Sequence, residues 1–493
     1  MRRPEMVRGA GMQARTGRRA CARALTAPAL LAFALVLSAC AVGPNYREPE
    51  IPVADEFGAA GLLEPGQGEI ERQWWRQFGD PLLDELVEAA VANNRDIAAA
   101  TARLREARAL RRERLFDFLP SITGTAGYDN VRQSASGTPG APPGTIDREY
   151  ELYDAGFDAA WEIDLFGRVR RANESARALA GAAAAARNQV VLSVIAEVAR
   201  NYFELRGAQG RLAVARENAG NQSRALELVN ERLEAGRGTA LDTARAVAQV
   251  ETTLASIPPL EAEVDRAMRR IAVLTGEQPG ALVDRLSEPR ELPSLPDTLV
   301  LGNPEDLLRR RPDIRVAERQ LAAATAAIGV QVADLFPRIT INAGIGLAAP
   351  RIGQLDDSGN DRRSFGPSLS WGLFDFGHVY QRIRAAGARS AEALANYEQA
   401  VLTALEETEN SLSDFARERR RVEHLTRAAE ASRQAADLAT QRFEGGVSDF
   451  LTALDAYRTS LEAQDQLAIS RTRAATALVT IYKALGGGWE VAP

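Results

Sequence analysis

Residues that could carry out enzymatic chemistry are few and scattered in this chain of 493 residues. Its two histidines, His378 and His424, lie far apart in the sequence, so neither a Ser/His/Asp set nor a histidine-based metal cluster can be assembled from them. The other candidates are two short motifs, the glycine-rich residues 344–349 and the triplet Asp-Phe-Gly at 375–377.

Neither motif has the surroundings that its chemistry needs. Residues 344–349 fit the dinucleotide-binding fingerprint, but Pro350 and a polar loop follow them, where a helix N-terminus would have to hold the pyrophosphate. Residues 375–377 match a kinase motif without its His-Arg-Asp loop, phosphate loop or strand lysine, since Lys483 lies near the C-terminus. We therefore predict no enzyme, no catalytic residue, no cofactor and no metal site.

Cys40 is the side chain for which the sequence predicts a covalent modification. An arginine-rich N-terminus leads into the apolar run 27–37, and Leu37-Ser38-Ala39-Cys40 follows, which looks like a bacterial lipobox. Residues 1–39 are thus predicted to be a lipoprotein signal peptide, with the Cys40 thiol acylated as the first mature residue. The alternative is an ordinary signal peptide followed by a chance cysteine. Ala41 after the cysteine, by resemblance to bacterial lipoproteins, favours the outer membrane.

The charge and hydropathy of the remaining chain narrow the class of protein. The full chain has a formal net charge of −6, and residues 1–39 hold seven arginines and Glu5, so the mature chain is near −12. An acidic balance argues against nucleic acid as a partner. No run of eighteen apolar residues appears, so any membrane spanning has to use strands.

The chain repeats itself. Trp161 and Gly167 recur as Trp371 and Gly377, so the spacing between the tryptophan and the glycine is the same in both copies. Earlier in each copy, Leu119-Pro120-Ser121-Ile122-Thr123 recurs as Phe336-Pro337-Arg338-Ile339-Thr340. One structural unit has therefore been duplicated.

Each copy combines a strand hairpin with a long helical hairpin. Apolar residues alternate with small polar ones over 121–128, 153–163, 339–347 and 364–373, which predicts four strands. A helical pattern precedes the first of them, over 81–118. Alanine-rich patterns after Gly167 and Gly377 predict helices of about 70 residues, or about 100 Å. Each returns after a glycine-containing turn, and Pro258-Pro259 should kink the first return.

These patterns divide the chain into six parts. They are the signal peptide 1–39, a lipidated N-terminal strap 40–80, the first repeat 81–275, a linker 276–303, the second repeat 304–485 and a C-terminal tail 486–493. Four amphipathic strands have the length and period of membrane barrel strands but cannot close a barrel. Three copies would supply twelve strands, a number that outer-membrane barrels use.

The chain resembles the TolC-type outer-membrane efflux proteins, in the lipoprotein branch that is OprM-like and NodT-like. The resemblance rests on the paired hairpins, the repeated Trp-to-Gly motifs, the lipobox, residues 74–82 and residues 482–489. It implies a mixed α and β membrane protein. The family forms homotrimers with a 12-stranded β-barrel, four strands per chain, continuous with a long periplasmic α-helical barrel. It resides in the outer membrane of Gram-negative bacteria.

The resemblance also implies a function and partners. Family members are passive exit ducts for drugs or other small molecules, supplied by an inner-membrane efflux pump through a periplasmic adaptor protein. Outer-membrane lipid surrounds the barrel. The alternative is a periplasmic coiled-coil adaptor or structural lipoprotein without a channel. The four amphipathic strands favour the channel, because an adaptor has no need of them.

A pore gate is implied near the two far helix turns. Asp455 matches an acidic residue that faces the lumen in the family, where three copies would form a cation-selective carboxylate ring. The alternative is a solvated helix face. Thr452 stands where some relatives have a second acid. Asp242 matches a residue that latches the closed tip, although Thr239 to Asp242 also fits a capping box. Arg245 occupies the position of Asp455 in the first repeat, and it could contact Asp455 or Asp242 across neighbouring hairpins.

Two further groups of residues follow from the repeat. Adaptor docking is expected at tip residues that both copies share, unless simple turn geometry explains them: Arg232, Leu233, Gly236, Arg442, Phe443 and Gly446. A seam between strands and long helices is expected at Trp161, Phe166, Gly167, Trp371, Phe376 and Gly377. The aromatic residues there fit an interfacial girdle, and the glycines let the chain turn without a Cβ.

Overall fold

The computed structural model describes residues 41–63, 66, 71–132, 134, 149–296 and 298–491. The predicted signal peptide 1–39 and Cys40 lie outside the described residues. The chain forms two compact units, each described here by itself. The sheet unit comprises residues up to Arg47, Ala109–Ala178 and Ala322–Ala391. The helical unit comprises Glu48–Arg108, Leu179–Leu321 and the residues from Glu392 onwards.

The sheet unit contains four antiparallel strands in the order β1-β2-β3-β4. They are β1 (Ser121–Arg132), β2 (Glu149–Ile163), β3 (Arg338–Ala349) and β4 (Asp361–Ser370). The two hairpins have equivalent registers, because Ser121 pairs with Ala160 and Arg338 pairs with Ser370. Ser121 and Arg338 each follow the proline of the repeated motif, and Ala160 and Ser370 each precede its tryptophan, which confirms the duplication.

One face of the sheet is largely apolar, and its charged residues, which include Arg132, Glu149, Glu151, Asp361 and Arg363, lie toward the end away from Trp161. Pairs on this face include Ile122–Ala159, Gly124–Phe157, Phe157–Ile345, Ala159–Ala343, Ile339–Leu369 and Ala343–Phe365. The large side chains are open to the surroundings, with exposed fractions of 71% for Ile122, 60% for Phe157 and 80% for Phe365. A broad exposed apolar face of this kind is suited to contact with lipid.

The opposite face is polar and rich in glycine. Asp158 lies across from Gly344, and Gly127 lies across from Asp154. A Cβ on Gly344 would stand 2.8 Å from Asp158 Oδ1, and a Cβ on Gly127 would stand 2.7 Å from Asp154 Oδ1. The glycines therefore leave room for carboxylates that lie flat on this face.

The helices are α1 (Pro81–Asn93), α2 (Arg95–Phe116), α3 (Arg168–Glu234), α4 (Ala240–Ala255), α5 (Ile257–Leu274), α6 (Val283–Leu286), α7 (Pro304–Arg310), α8 (Pro312–Ala333), α9 (Phe376–Glu444) and α10 (Phe450–Ala484). The single helix predicted over 81–118 is wrong, because Asn94 interrupts it. Its Oδ1 accepts hydrogen bonds from the backbone N–H of Asp96 at 2.9 Å and Ile97 at 3.2 Å, which caps the start of α2. The kink expected at Pro258-Pro259 is confirmed, since the helix is interrupted at Ser256.

The helix α3 contains a stretch that is apolar enough, by length and composition, to cross a membrane. Its mean hydropathy is 1.4 over 18 residues, and 44% of that window is buried within the chain. An alanine-rich helix that packs against neighbouring helices passes the same test. We therefore assign membrane contact to the sheet and not to α3.

The core of the helical unit brings residues 74–78 together with residues 482–487. Trp74 is fully buried, and its ring stacks on Tyr482 with centroids 5.0 Å apart. Its Nε1 donates to the Gly487 carbonyl at 3.2 Å, and the Tyr482 hydroxyl donates to Gln77 Oε1 at 2.7 Å. Burial raises the pKa of Tyr482 to about 12, so this phenol stays protonated at neutral pH. The two terminal motifs of the family resemblance thus meet in one cluster.

Candidate functional site

The long helices α3 and α9 end in turns of the same geometry, and these turns form the tip of the helical unit. Gly236 and Gly446 have φ values of 69° and 73°, a left-handed conformation that glycine adopts without strain. Two backbone hydrogen bonds close each turn. In the first turn, Gly236 N–H donates to Leu233 O at 3.0 Å and Arg237 N–H donates to Arg232 O at 2.8 Å. In the second turn, Gly446 N–H donates to Phe443 O and Val447 N–H donates to Arg442 O, both at 2.9 Å. Turn geometry alone accounts for both glycines.

Asp242 belongs to a helix cap. The Thr239 hydroxyl accepts a hydrogen bond from the Asp242 backbone N–H at 3.2 Å and donates to the Asp242 carboxylate at 2.7 Å. This reciprocal arrangement holds the start of α4. The geometry supports the capping alternative, and a latch role for Asp242 stays a prediction for the assembled protein.

The helix α10 begins with an equivalent cap, in which the aspartate and the threonine have exchanged positions. Asp449 Oδ1 accepts from the Thr452 hydroxyl at 2.5 Å and from the Thr452 backbone N–H at 3.0 Å. These two hydrogen bonds, with the positive charge of Arg245, lower the pKa of the Asp449 carboxyl. Sequence reasoning missed Asp449. The repeat relates Thr239 to Asp449 and Asp242 to Thr452, so a comparison of the two copies could have revealed it.

Asp455 is an exposed acid near the tip. Its side chain is 64% exposed, and its ion pair is with Arg458, 3.5 Å away and one turn along α10. In the part of the chain that the structure describes, no ion pair joins Arg245 to Asp455 or to Asp242. A contact of Arg245 with either acid across neighbouring hairpins stays a prediction, and within the chain the positive charge of Arg245 helps to lower the pKa of Asp449.

The side chains of Arg232 and Phe443 pack against each other. Arg232 Nη2 donates to the carbonyls of Phe443 at 2.5 Å and Glu444 at 2.9 Å, and its guanidinium carbon lies 4.1 Å from the centre of the Phe443 ring. Phe443 is only 6% exposed and packs against Phe450. The side chains of Arg232 and Phe443 are therefore engaged within the chain. Docking of an adaptor at the tip stays a prediction, and Leu233, Arg442 and the two glycine turns are its exposed residues.

Both tryptophans of the seam hold the chain just before a strand. Trp161 Nε1 donates to the Phe118 carbonyl at 3.0 Å, and Trp371 Nε1 donates to the Leu335 carbonyl at 3.1 Å. Phe118 and Leu335 are themselves related by the repeat. The predicted fourth strand, 364–373, is too long, because β4 ends at Ser370 and Trp371 lies beyond it. The indoles remain partly exposed, at 38% and 45%.

The two seam glycines are not equivalent. Gly167 has a φ of 83°, and a Cβ there would stand 2.7 Å from Ala41 Cα. Gly377 lies in the first turn of α9 without a positive φ, and a Cβ there would meet nothing within 4 Å. The expectation that both turns need glycine is thus wrong for Gly377, because no segment of the described chain packs against it.

The aromatic residues beside these glycines differ in the same way. Phe166 stacks on Phe336, with ring centroids 4.5 Å apart and an interplanar angle of 15°. Phe376, its equivalent in the second repeat, is 46% exposed. The seam of the first repeat is therefore packed within the chain, whereas Phe376 in the seam of the second repeat is exposed.

The sequence matches the family model described as "Outer membrane efflux protein" over residues 86–277 and 303–487. It is similar to Nodulation protein T of Rhizobium leguminosarum bv. trifolii, with 32% identity over 462 residues that cover 93% of this chain and 96% of that protein. It is similar to the outer membrane protein OprJ of Pseudomonas aeruginosa, with 32% identity covering 93% and 95%. The solved structure of the outer-membrane channel OprN has 45% identity and a TM-score of 0.85, covering 92% of this chain and all of that one.

Proposed function

This chain belongs to the outer membrane efflux protein family, and we propose that it forms the outer-membrane channel of an efflux pump. The observation that carries this function is the sheet, which has a largely apolar, exposed face on one side and a face of glycine, serine and carboxylates on the other. A lipid-facing and a water-facing surface back to back are what a membrane barrel needs. A periplasmic adaptor has no use for such a sheet.

The sheet becomes a barrel when three chains join. Among the described residues, β1 and β4 each pair with one strand only, so both edges offer unpaired backbone groups. Joining β4 of one chain to β1 of the next closes a ring of twelve strands, an even number within the range of outer-membrane barrels. The proposed repeats, 81–275 and 304–485, then alternate around the trimer axis. The two segments matched by the family model support this division.

The proposed partners are a periplasmic adaptor and an inner-membrane pump. Related proteins are named for the export of pyoverdine and for antibiotic and toluene efflux, so we propose small molecules as the cargo. The channel is passive, and the pump supplies the energy. Leu233, Arg442 and the turns at Gly236 and Gly446 are the proposed docking surface for the adaptor.

Planar-bilayer recording of purified trimers tests the channel and its gate. We expect discrete conductance steps with a preference for cations, because three Asp455 carboxylates would line a narrow constriction. Asp455→Asn should lower the cation-to-anion permeability ratio severalfold. Asp242→Asn is the matched control, since an amide keeps the cap with Thr239 and its side chain is less exposed. Silent bilayers from intact trimers would refute the channel, and an unchanged ratio in Asp455→Asn would refute the ring.

We propose that the mature protein is lipid-anchored through Cys40, as the lipobox and Ala41 indicate. Intact-mass analysis of the purified protein should show a chain that starts at residue 40 and carries fatty acyl groups. Cys40→Ser should lose the acyl mass. A mature chain that begins elsewhere, or an unmodified Cys40, would refute the anchor.

A further inference from the structure

At the tip, Arg232 makes a polar contact between the two helical hairpins of one chain. This side chain reaches the last turn of α9, where it donates to the carbonyls of Phe443 and Glu444 at 2.5 and 2.9 Å. The last carbonyls of a helix lack backbone partners and carry the negative end of its dipole, so a guanidinium is well suited to them. We call this contact between the Arg232 guanidinium and the carbonyls of Phe443 and Glu444 a clamp.

The duplication contains the components of this clamp a second time. Arg442 is the equivalent of Arg232, and Leu233 and Glu234 are the equivalents of the two residues whose carbonyls it binds. The backbone bonds of the two turns match within about 0.1 Å, so Arg442 leaves its helix in the same setting as Arg232. The residues and the backbone turn that a second clamp needs are therefore present in the chain.

Neither side of the second clamp finds its partner within one chain. The Arg442 side chain is exposed, and in the described part of the chain it makes no hydrogen bond or ion pair. The Leu233 carbonyl accepts one hydrogen bond, from Gly236, which leaves one lone pair open, and the Glu234 carbonyl accepts none from any described residue. Leu233 is 37% exposed, whereas its equivalent Phe443 is 6% exposed.

We propose that Arg442 binds the Leu233 and Glu234 carbonyls of a second copy of this chain. The proposal rests on the trimer proposed above, in which hairpins from the two repeats alternate. Three Arg232 clamps within chains and three Arg442 clamps between chains then close the tip. The clamps are unequal, because Arg232 lies over the ring of Phe443 whereas Arg442 meets Leu233, which offers no π face. The tip therefore opens between chains more readily than within one.

Cross-linking distinguishes the two kinds of clamp. The double variant Arg442→Cys with Glu234→Cys, treated as the full-length trimer with a short bis-maleimide, should give covalent dimers and trimers on denaturing gels. The matched control, Arg232→Cys with Glu444→Cys, should link within one chain and give no ladder. Wild-type protein, whose Cys40 is the proposed acylation site, gives the background. Native mass spectrometry of each sample reports the oligomer.

The outcomes separate the clamp from the proposed function. Unlinked Arg442→Cys/Glu234→Cys chains in intact trimers would overturn the clamp and leave the channel standing. Chains that are monomeric by native mass would overturn both. Conductance gives a second measure: Arg442→Ala should raise the open probability severalfold, and Leu233→Phe, which supplies the missing ring, should lower it. Leu233→Phe should have no effect in the Arg442→Ala background, and an equal effect in both backgrounds would also overturn the clamp.

Discussion

Gly167→Val is expected to prevent the accumulation of folded trimer, whereas Gly377→Val is expected to leave the trimer intact. Gly167 has a φ of 83°, a conformation that is strained for a β-branched residue. The added Cβ would also stand 2.7 Å from Ala41 Cα and 2.8 Å from Ala41 Cβ. Backbone strain and overlap together should cost roughly 3 kcal/mol or more per chain.

Gly377 is the matched control because it occupies the same position in the repeated motif. Its φ is not positive, it lies inside α9, and a side chain there would enter open space. Unheated gel electrophoresis of outer-membrane fractions would report the heat-sensitive trimer band for each variant. Normal trimers in Gly167→Val would show that the close approach of Ala41 is dispensable. Loss of trimer in Gly377→Val would show that a partner absent from the single chain covers this residue.

Trp74→Ala should produce the second large effect, a loss of about 3–5 kcal/mol in the free energy of unfolding. The indole is fully buried, stacks on Tyr482 and donates to the Gly487 carbonyl. Its removal leaves a cavity and leaves the Gly487 carbonyl without this donor, between residues 74–78 and residues 482–487. Trp74→Phe keeps an aromatic ring on Tyr482 but lacks the N–H, so its loss should be intermediate.

Trp371→Ala is the control for Trp74→Ala. Trp371 also donates its indole N–H to a carbonyl, but it is 45% exposed, so we expect a loss of about 1 kcal/mol. Thermal denaturation of the purified trimers in detergent, followed by circular dichroism at the helix signal, would measure both. Equal shifts in the two variants would contradict the assignment of Trp74 to the structural core.

The repeat in the sequence predicted the four strands, and the structure adds that the two hairpins have equivalent registers. Equivalent residues of the two copies, Ser121 with Ala160 and Arg338 with Ser370, are paired in the β1–β2 and β3–β4 hairpins without adjustment. The register is strongly specified because one face is largely apolar, and a slip by one residue would place that face on the wrong side. The fourth strand was predicted too long because its end depends on its partner: β3 begins at Arg338, which pairs with Ser370, so no residue of β3 is left to pair with Trp371.

Long-range contacts explain two of the failures of sequence reasoning, and local side-chain caps explain the other two. Gly167 and Gly377 lie in the same motif, and they differ because the N-terminal segment packs against only one of them. Phe443 looked like an exposed tip residue, but Arg232 and Phe450 enclose it. Asn94 ends a helix pattern that continues on both sides, and only its side-chain bonds to the next turn reveal the break. Asp449 was missed because the aspartate and the threonine of the helix cap exchange positions between the two repeats.

The packing of the N-terminal segment at the seam has a consequence for how deep the protein sits in the membrane. Val42 N–H donates to the Phe166 carbonyl at 3.1 Å, and Arg171 donates to the carbonyls of Val42 and Gly43 and to Asn45 Oδ1. Cys40 is bonded to Ala41, so acyl chains on Cys40 would begin one residue from the level of Gly167. The proposed anchor and the rim of the proposed barrel would then lie at the same depth. The lipid on Cys40 would in that case fix the position of the barrel relative to the inner leaflet of the outer membrane.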